Sequence, residues 1–301
     1  MPPVCQQWLS RGDENVATLR VVQFNTLAGS LCTAQSFPFS EGAALEWDVR
    51  KHRLLDTIFG LDPDLICLEE VDEDSYHNCF HPALLSRGFS SQFEKKKSAN
   101  SADGCVVAWR STMFACNIKD IVVHRFKDAN QLALIVPLLH IASNQTLWLT
   151  ATHLKAKRGF EETRTNQAKE LIQALRARSP KDLVILCGDF NDEPSSQCYS
   201  YINSQELVPL HSCYARYHEW RDPQLSSTGV SLEEAPYTTY KQRDPLEITC
   251  RTIDYIWADP RLMVRSLVSL PEPLPEVPFP SVDYPSDHLL IGAILSFQST
   301  I

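Results

Sequence analysis

Apolar residues along this chain gather in short runs, and most runs end in a polar or ionisable residue. The densest is Leu183-Val184-Ile185-Leu186-Cys187, five apolar residues of which most are branched. Such a run suits a strand covered on both faces better than a half-exposed one. Gly188 is expected to turn the backbone there. Asp189 and Asn191 follow at alternate positions, which point to one side of an extended chain. Pro194 and Ser195 then mark a break and the start of a helix. Further strands are predicted at residues 19–24, 65–68, 105–109, 132–140, 146–152, 253–257, 262–270 and 289–297. Helical spacing covers 45–59, stopping at Gly60, and 160–178, where Leu171, Ile172 and Leu175 face inward. Shorter helices are expected near 76–85 and 198–202, a basic loop at 94–103, and an irregular Pro- and Tyr-rich stretch at 207–250. Strands alternate with helices in places and elsewhere follow one another directly. That favours a mixed α+β sandwich over a regular βαβ repeat.

The ends of these runs carry the chemistry. A lone Gly188-Asp189-Phe190-Asn191 is as readily a turn, since Gly, Asp and Asn are turn residues. The same arrangement recurs in Leu68-Glu69-Glu70-Val71-Asp72, Thr152-His153-Leu154-Lys155 and Ser286-Asp287-His288, and a layered fold would gather them at one rim. Glu70, Asp189, Asp254 and Asp287 brought together would repel and raise one another's pKa, a cost that a divalent cation removes. Oxygen ligands point to Mg²⁺ or Mn²⁺ rather than zinc, and because magnesium takes one or two carboxylates, Glu70 is the first choice of ligand. His153 and His288 can donate to phosphate oxygens, with a carboxylate behind one of them fixing its tautomer. Asp189 can accept a proton from an attacking water while Asn191 holds the water or the phosphate. His52, His77, His81, His124, His140, His211 and His218 have no comparable setting and read as structural. Lys155 and Lys157 alternate with His153 and are expected on its side of the chain; the plain alternative is a solvated loop. Phe160, Tyr237 and Tyr240 are the nearest candidates for base stacking, and packing explains them equally well.

Length and composition narrow the class. At 301 residues, with no Gly/Ser linker or repeat, the chain reads as one catalytic domain at 19–301 after a flexible N-terminal extension at 1–18. A net charge of −9 gives no overall basic field for gripping long nucleic acid. Lys95-Lys96-Lys97 and residues 155–158 are the dense basic clusters, a better fit to a small phosphate-bearing pocket than to a long track. Ten cysteines without a C-x-x-C pair indicate buried free thiols in a reducing compartment. Residues 1–19 hold no apolar signal core, and no run reaches membrane-spanning length. The expected location is the cytoplasm, with a mitochondrial form if a longer precursor exists. The Asn144-Gln145-Thr146 sequon is then silent.

Taken in order, Gln23-Phe24-Asn25, Leu68-Glu69-Glu70-Val71-Asp72, Thr152-His153-Leu154-Lys155, Gly188-Asp189-Phe190-Asn191, Ile253-Asp254-Tyr255-Ile256 and Ser286-Asp287-His288 resemble the endonuclease/exonuclease/phosphatase superfamily. Asp103-Gly104-Cys105, Asn130-Gln131, Pro236-Tyr237-Thr238-Thr239-Tyr240 and Tyr284-Pro285-Ser286-Asp287-His288 resemble its CCR4-type branch, and within it the nocturnins. The resemblance implies a four-layer α/β/β/α sandwich, two mixed sheets flanked by helices, with the site at one rim. It implies Mg²⁺ on Glu70, supported by Asn25, and Asp189 as the water-activating base. Asn191 and His153 would contact phosphate, and His288, oriented by Asp254, would stabilise the transition state. Asp287 would stand beside the metal or behind it. Substrate contacts would come from Asn130, Lys155, Lys157 and one of Lys95, Lys96 and Lys97, with Lys96 the preferred register. Where nocturnins tend to carry Arg, Lys157 offers a point charge in place of a bidentate fork. Nocturnins are associated with removing the 2′-phosphate of NADP(H), and their CCR4-type relatives shorten poly(A) from the 3′ end. The expectation is therefore a Mg²⁺-dependent phosphohydrolase acting on NADP(H), with a poly(A) exoribonuclease as the alternative. A fold kept without activity would have lost some of these groups, and all are in place.

Overall fold

The computed structural model describes residues 6–10, 18–97, 101–127, 129–222 and 234–297. Its strands begin with β1 (Trp8–Ser10), β2 (Thr18–Asn25), β3 (Leu65–Asp72), β4 (Phe89–Lys95), β5 (Asp103–Arg110), β6 (Phe114–Ala115), β7 (Val122–Arg125) and β8 (Leu132–His140). They continue with β9 (Gln145–His153), β10 (Leu183–Asp189), β11 (His211–Ser212), β12 (Thr239–Asp244), β13 (Glu247–Arg251), β14 (Asp254–Ala258), β15 (Leu262–Val268) and β16 (Ile291–Phe297).

One sheet runs β1-β15-β16-β2-β3-β5-β4 and the other β11-β14-β10-β9-β8-β6, with β7 also paired to β8. Both are mixed. Parallel pairing of β2 with β3 and of β9 with β10 requires a crossover each time. The helices Trp47–Phe59 and Glu161–Leu175 supply them.

The strand β10 shows why its sequence is apolar throughout. Leu183, Ile185 and Cys187 belong to the core shared with the first sheet. Val184 and Leu186 turn the other way, onto Leu171, Ile172 and Leu175 of the crossover helix and Cys198 and Ile202 of the helix Gln197–Asn203. Period-two alternation in a strand covered on both sides thus yields a continuous apolar run. Leu54, Ile58, Phe80 and Leu84 cover the first sheet in the same way. The layers are helix, sheet, sheet, helix, the α/β/β/α sandwich expected.

The structure departs from the sequence reading where strands are polar. The strand β4 (Phe-Ser-Ser-Gln-Phe-Glu-Lys) occupies the start of the loop expected at 94–103. As an edge strand it buries Phe89 and leaves the rest half-covered, so it has no apolar run to announce it. The stretch 207–250 is not simply irregular: β11, a helix at Tyr217–Arg221 and the hairpin of β12 and β13 lie within it, while 223–233 fall outside the described residues. Within the extension expected at 1–18, Trp8–Ser10 pair with β15 and Trp8 packs on the core; 1–5 and 11–17 lie outside the described residues. Gly188 does not turn the chain either. The strand runs through it, and a Cβ there would stand 2.0 Å from the Thr152 carbonyl oxygen, so glycine is required by the close approach of β9. The next helix is capped by Ser196 rather than Ser195.

The cysteines among the described residues are free, most of them buried. No helix among the described residues is long and apolar enough to cross a membrane.

Candidate active site

Strand pairing alone brings the ionisable groups together. In the register of the second sheet, Asp189 at the end of β10 lies opposite His153 at the end of β9 and Asp254 at the start of β14. In the first sheet, Asn25 at the end of β2 lies opposite Glu69 in β3. The strand β3 then breaks register between Leu68 and Val71, and Glu70 adopts a positive φ of 52°. This bulge splits the acidic pair. Glu69 is fully buried and accepts from Gln23 at 2.7 Å, whereas Glu70 opens on a cavity of about 670 Å³. Its carboxylate meets His153 Nδ1 at 3.9 Å.

Asp189 sits at the middle of a dense network. Asn25 Nδ2 donates to its Oδ2 at 3.0 Å, and the Asn191 backbone N–H donates to its Oδ1 at 2.8 Å. The Nε2 atoms of His153 and His288 approach Oδ2 at 3.6 and 3.8 Å. Burial and the neighbouring Asp254 raise the Asp189 pKa, against the opposing pull of the two histidines. A raised pKa makes a carboxylate a better proton acceptor near neutrality.

The two histidines are held in different charge states. His153 is buried beside the Lys96 ammonium, 3.4 Å from its Nδ1. Burial and that positive neighbour lower its pKa to about 4. Its Nδ1 therefore accepts and its Nε2–H faces Asp189. His288 pairs through Nδ1 with Asp254 at 2.9 Å. Burial opposes its charge most strongly, but the carboxylates of Asp254, Asp287 and Asp189 together outweigh it and lift the pKa to about 9. Asp254 is itself fixed by Thr238 Oγ1 at 2.7 Å and Gln23 Nε2 at 3.2 Å. Asp287 takes Lys241 at 2.6 Å and Arg243 at 3.3 Å. Burial would raise its pKa, yet these cations hold it well below the usual carboxylate range.

Several expected positions need correction. Asn191 does reach the cavity beside Asp189, but not by strand alternation. The strand ends at Asp189, Asn191 has φ 52°, and its Nδ2 donates to the Leu154 carbonyl at 3.2 Å, so a turn brings it there. Alternation fails for the lysines for the same reason, because β9 ends at His153. Lys157 lines the cavity, in a loop that buried Arg164 holds by bonds to the carbonyls of residues 155 and 157 at 3.2 and 2.9 Å. Lys155 instead lies over the Phe160 ring, 4.7 Å from its centroid, and is absent from the lining. Asn130 is exposed and outside the lining. Of the three lysines at the end of β4 and just after it, Lys96 turns toward the site, paired with Asp103 at 2.5 Å, whereas Lys95 pairs with Glu73. Tyr237 and Tyr240 are core residues.

Sequence reasoning missed Lys241 and Arg243. They follow Thr239 at steps of two along β12, and all three line the cavity. The only sign was the motif Pro236 to Tyr240 just before them. Arg50 was missed as well: buried in a helix, it donates to the Pro285 carbonyl at 2.7 Å and the Thr26 carbonyl at 2.8 Å, tying two rim loops together.

The donor set fits a hard divalent ion. Asp189, Asp254 and His288 place ligand atoms within 4.8 Å of one another. They are also bonded or close to one another, and charged His288 is a poor neighbour for a cation. Of the carboxylates at the strand ends, Glu70 opens further onto the cavity than Asp189 and Asp287, its side chain 14% exposed against 2% for each of them, which suits an ion that keeps most of its waters.

The chain is similar to proteins of known identity over nearly its whole length. Nocturnin of Xenopus laevis is 34% identical over 297 residues, covering 93% of this chain and 73% of the relative. Human nocturnin is 35% identical, with 93% and 65% covered. The Ccr4 exoribonuclease subunit of the CCR4-Not complex of Saccharomyces cerevisiae is 26% identical, covering 94% of this chain and 39% of that protein. This chain thus spans about two thirds to three quarters of these nocturnins. The catalytic domain of human nocturnin with bound sulfate superposes with a TM-score of 0.76 at 30% identity, over 97% of both chains. ANGEL2, a 2′,3′-cyclic phosphatase in complex with adenosine-2′,3′-vanadate, shares the fold at a TM-score of 0.79 and 20% identity, over 98% of this chain and 99% of that one. The family model for the endonuclease/exonuclease/phosphatase family matches residues 22–288. Network, fold and similarity agree: this chain belongs to the endonuclease/exonuclease/phosphatase family and is a hydrolase of phosphate esters.

Proposed function

We propose that the protein removes the 2′-phosphate of NADP(H), using Mg²⁺ held by Glu70. The observation that carries the hydrolytic part is the Asp189 carboxylate, its pKa raised, set between neutral His153 and charged His288 at the wall of an open cavity. Asp189 accepts the proton of the attacking water. As the new P–O bond forms and the bond to the ribose oxygen breaks, charge gathers on the phosphoryl oxygens. His288 and His153 line that space with their Nε2 atoms beside Asp189 and would donate to those oxygens, and Asn191 and Lys157 border it. Asn25 holds Asp189 in place, Asp254 fixes His288, and Lys241 with Arg243 keeps Asp287 ionised. When bound, Mg²⁺ would neutralise charge on the phosphoryl oxygens. The products are inorganic phosphate and the free alcohol.

The substrate assignment draws support from higher identity to nocturnins, 34–35%, than to the yeast Ccr4 subunit, 26%. The Ccr4 match, covering 94% of this chain, supports poly(A) shortening as the second reading. One assay separates them: phosphate release from NADPH beside shortening of oligo(A), each with Mg²⁺ and with EDTA. The expected result is Mg²⁺-dependent phosphate release exceeding oligo(A) cleavage. Processive oligo(A) degradation with NADPH untouched would install the second reading, and full activity after exhaustive chelation would remove the metal.

A further inference from the structure

Beside the active-site cavity lies a second cleft of about 600 Å³, built on the edge strand β4 and the π-helical turn Tyr76–Phe80. The two share a wall. Lys96 lines the cleft, and its ammonium reaches His153 Nδ1 at 3.4 Å, whose ring lines the cavity. Charge divides them. The cavity is lined by eight carboxylates against six Lys and Arg side chains, the cleft by two against four. In a chain of net charge −9, the cleft is a place where positive charge is in excess.

Its floor is aromatic. Phe93 and Tyr76 stack with centroids 4.9 Å apart and planes 18° from parallel, and exposed His77 meets Phe93 edge-on at 6.5 Å. Hydrolysis of the reacting phosphate uses none of these groups. Cationic side chains beside an aromatic platform suit a base joined to a phosphate, since any base has a face to stack.

We propose that this cleft is a subsite for the second nucleotide of the substrate, with the base against Phe93 and His77 and its phosphate against Lys97 and Arg125. The proposal rests on the nucleotide reading above. Lys97 is exposed. Arg125 pairs with Glu94, and Lys95 with Glu73 at 2.6 Å; such exposed pairs are weak enough for a phosphate to compete with. Lys96, neutralised by Asp103 at 2.5 Å, is the partition between the two sites. The second nucleotide is either the nicotinamide half of a dinucleotide or the next unit of a strand, and both present the same chemistry.

The test is equilibrium binding to Asp189→Asn protein with Mg²⁺, using adenosine 2′-monophosphate, NADP⁺ and a short oligo(A) as probes. At least one two-nucleotide probe should bind more tightly than the monophosphate. Lys97→Glu should weaken that probe about tenfold and lower its salt slope by about one, leaving the monophosphate unchanged. Phe93→Leu, which keeps apolar packing on Tyr76 but removes the ring, should weaken the same probe alone. If the variants leave NADP⁺ and oligo(A) binding as in the parent, or weaken all three probes equally, the subsite is overturned. Loss confined to oligo(A) upholds the subsite for the next unit of a strand and removes the nicotinamide half as its occupant. If the variants, made in the active protein, leave NADPH turnover unchanged and neither weakens NADP⁺ or oligo(A) binding, the substrate stands and the subsite is removed.

Discussion

Asp189 and His288 meet at one carboxylate oxygen, 3.8 Å apart, with pKa values moved in the same direction for opposite reasons. The base is raised mainly by burial and the acid by its partner Asp254, so each is poised for its role near neutral pH. Asp189→Asn preserves shape and can keep the Asn25 contact by an amide flip, but it cannot take a proton. Its kcat should fall by about 10²–10⁴ with KM little changed, and a loss below about tenfold in steady-state assays would move the base elsewhere. The pH profile follows from the same two groups. Activity should decline as pH rises through about 9, where His288 loses its proton. The acid limb should lie above the ordinary aspartate range, because the Asp189 pKa is raised. In Asp254→Asn the alkaline limb should shift to lower pH, since the carboxylate that sustains the imidazolium is gone.

At the scale of elements, the strands that could be read from sequence were those whose burial leaves a mark. The strand β10 is apolar on both faces and ends in Asp189, so strand and site residue were legible together. The strand β4 and the β12–β13 hairpin carry few apolar residues, because each has a face toward solvent or toward a polar cavity. Lys96, Lys241 and Arg243 come from these quiet segments, which is why the sequence showed the acids and histidines more clearly than the cations around them. Asn191 was assigned to the right place by the wrong geometry: the turn after Asp189, not alternation, carries it there. Gly188 exposes the same gap between pattern and packing. Gly188→Ala would drive a methyl group into the Thr152 carbonyl and push β9 from β10. It should lower the Tm and, by separating His153 from Asp189, reduce kcat in the protein that still folds. An alanine variant with unchanged Tm and kcat would mean that the strands approach less closely than described.

Across the whole molecule, the two sheets meet through a core that also holds buried ionisable groups away from the site. His140 of β8 stacks on Phe297 of β16 at 5.1 Å, a ring contact between the sheets. Burial lowers its pKa from 6.5. The folded state therefore favours the neutral ring, so the stabilisation is complete above about pH 6.5 and is lost as pH falls through the folded value. Thermal melts should show the Tm dropping below about pH 6, and His140→Phe should flatten that part of the curve. An unchanged slope in the variant would place the acid sensitivity in other groups.

The strand β16 is the last of the described elements, yet it lies inside the first sheet between β15 and β2. His288 lies three residues before its start, and Asn25 closes the strand beside it. During synthesis, then, a ribosome-bound chain that has already emerged through residue 258 holds Asn25, Glu70, His153, Asp189 and Asp254 but neither His288 nor the strand that fills the sheet. Such a nascent chain leaves the edge of β2 that β16 will cover unpaired and open to other chains. It should be both inactive and prone to association until His288 and β16 have cleared the exit tunnel.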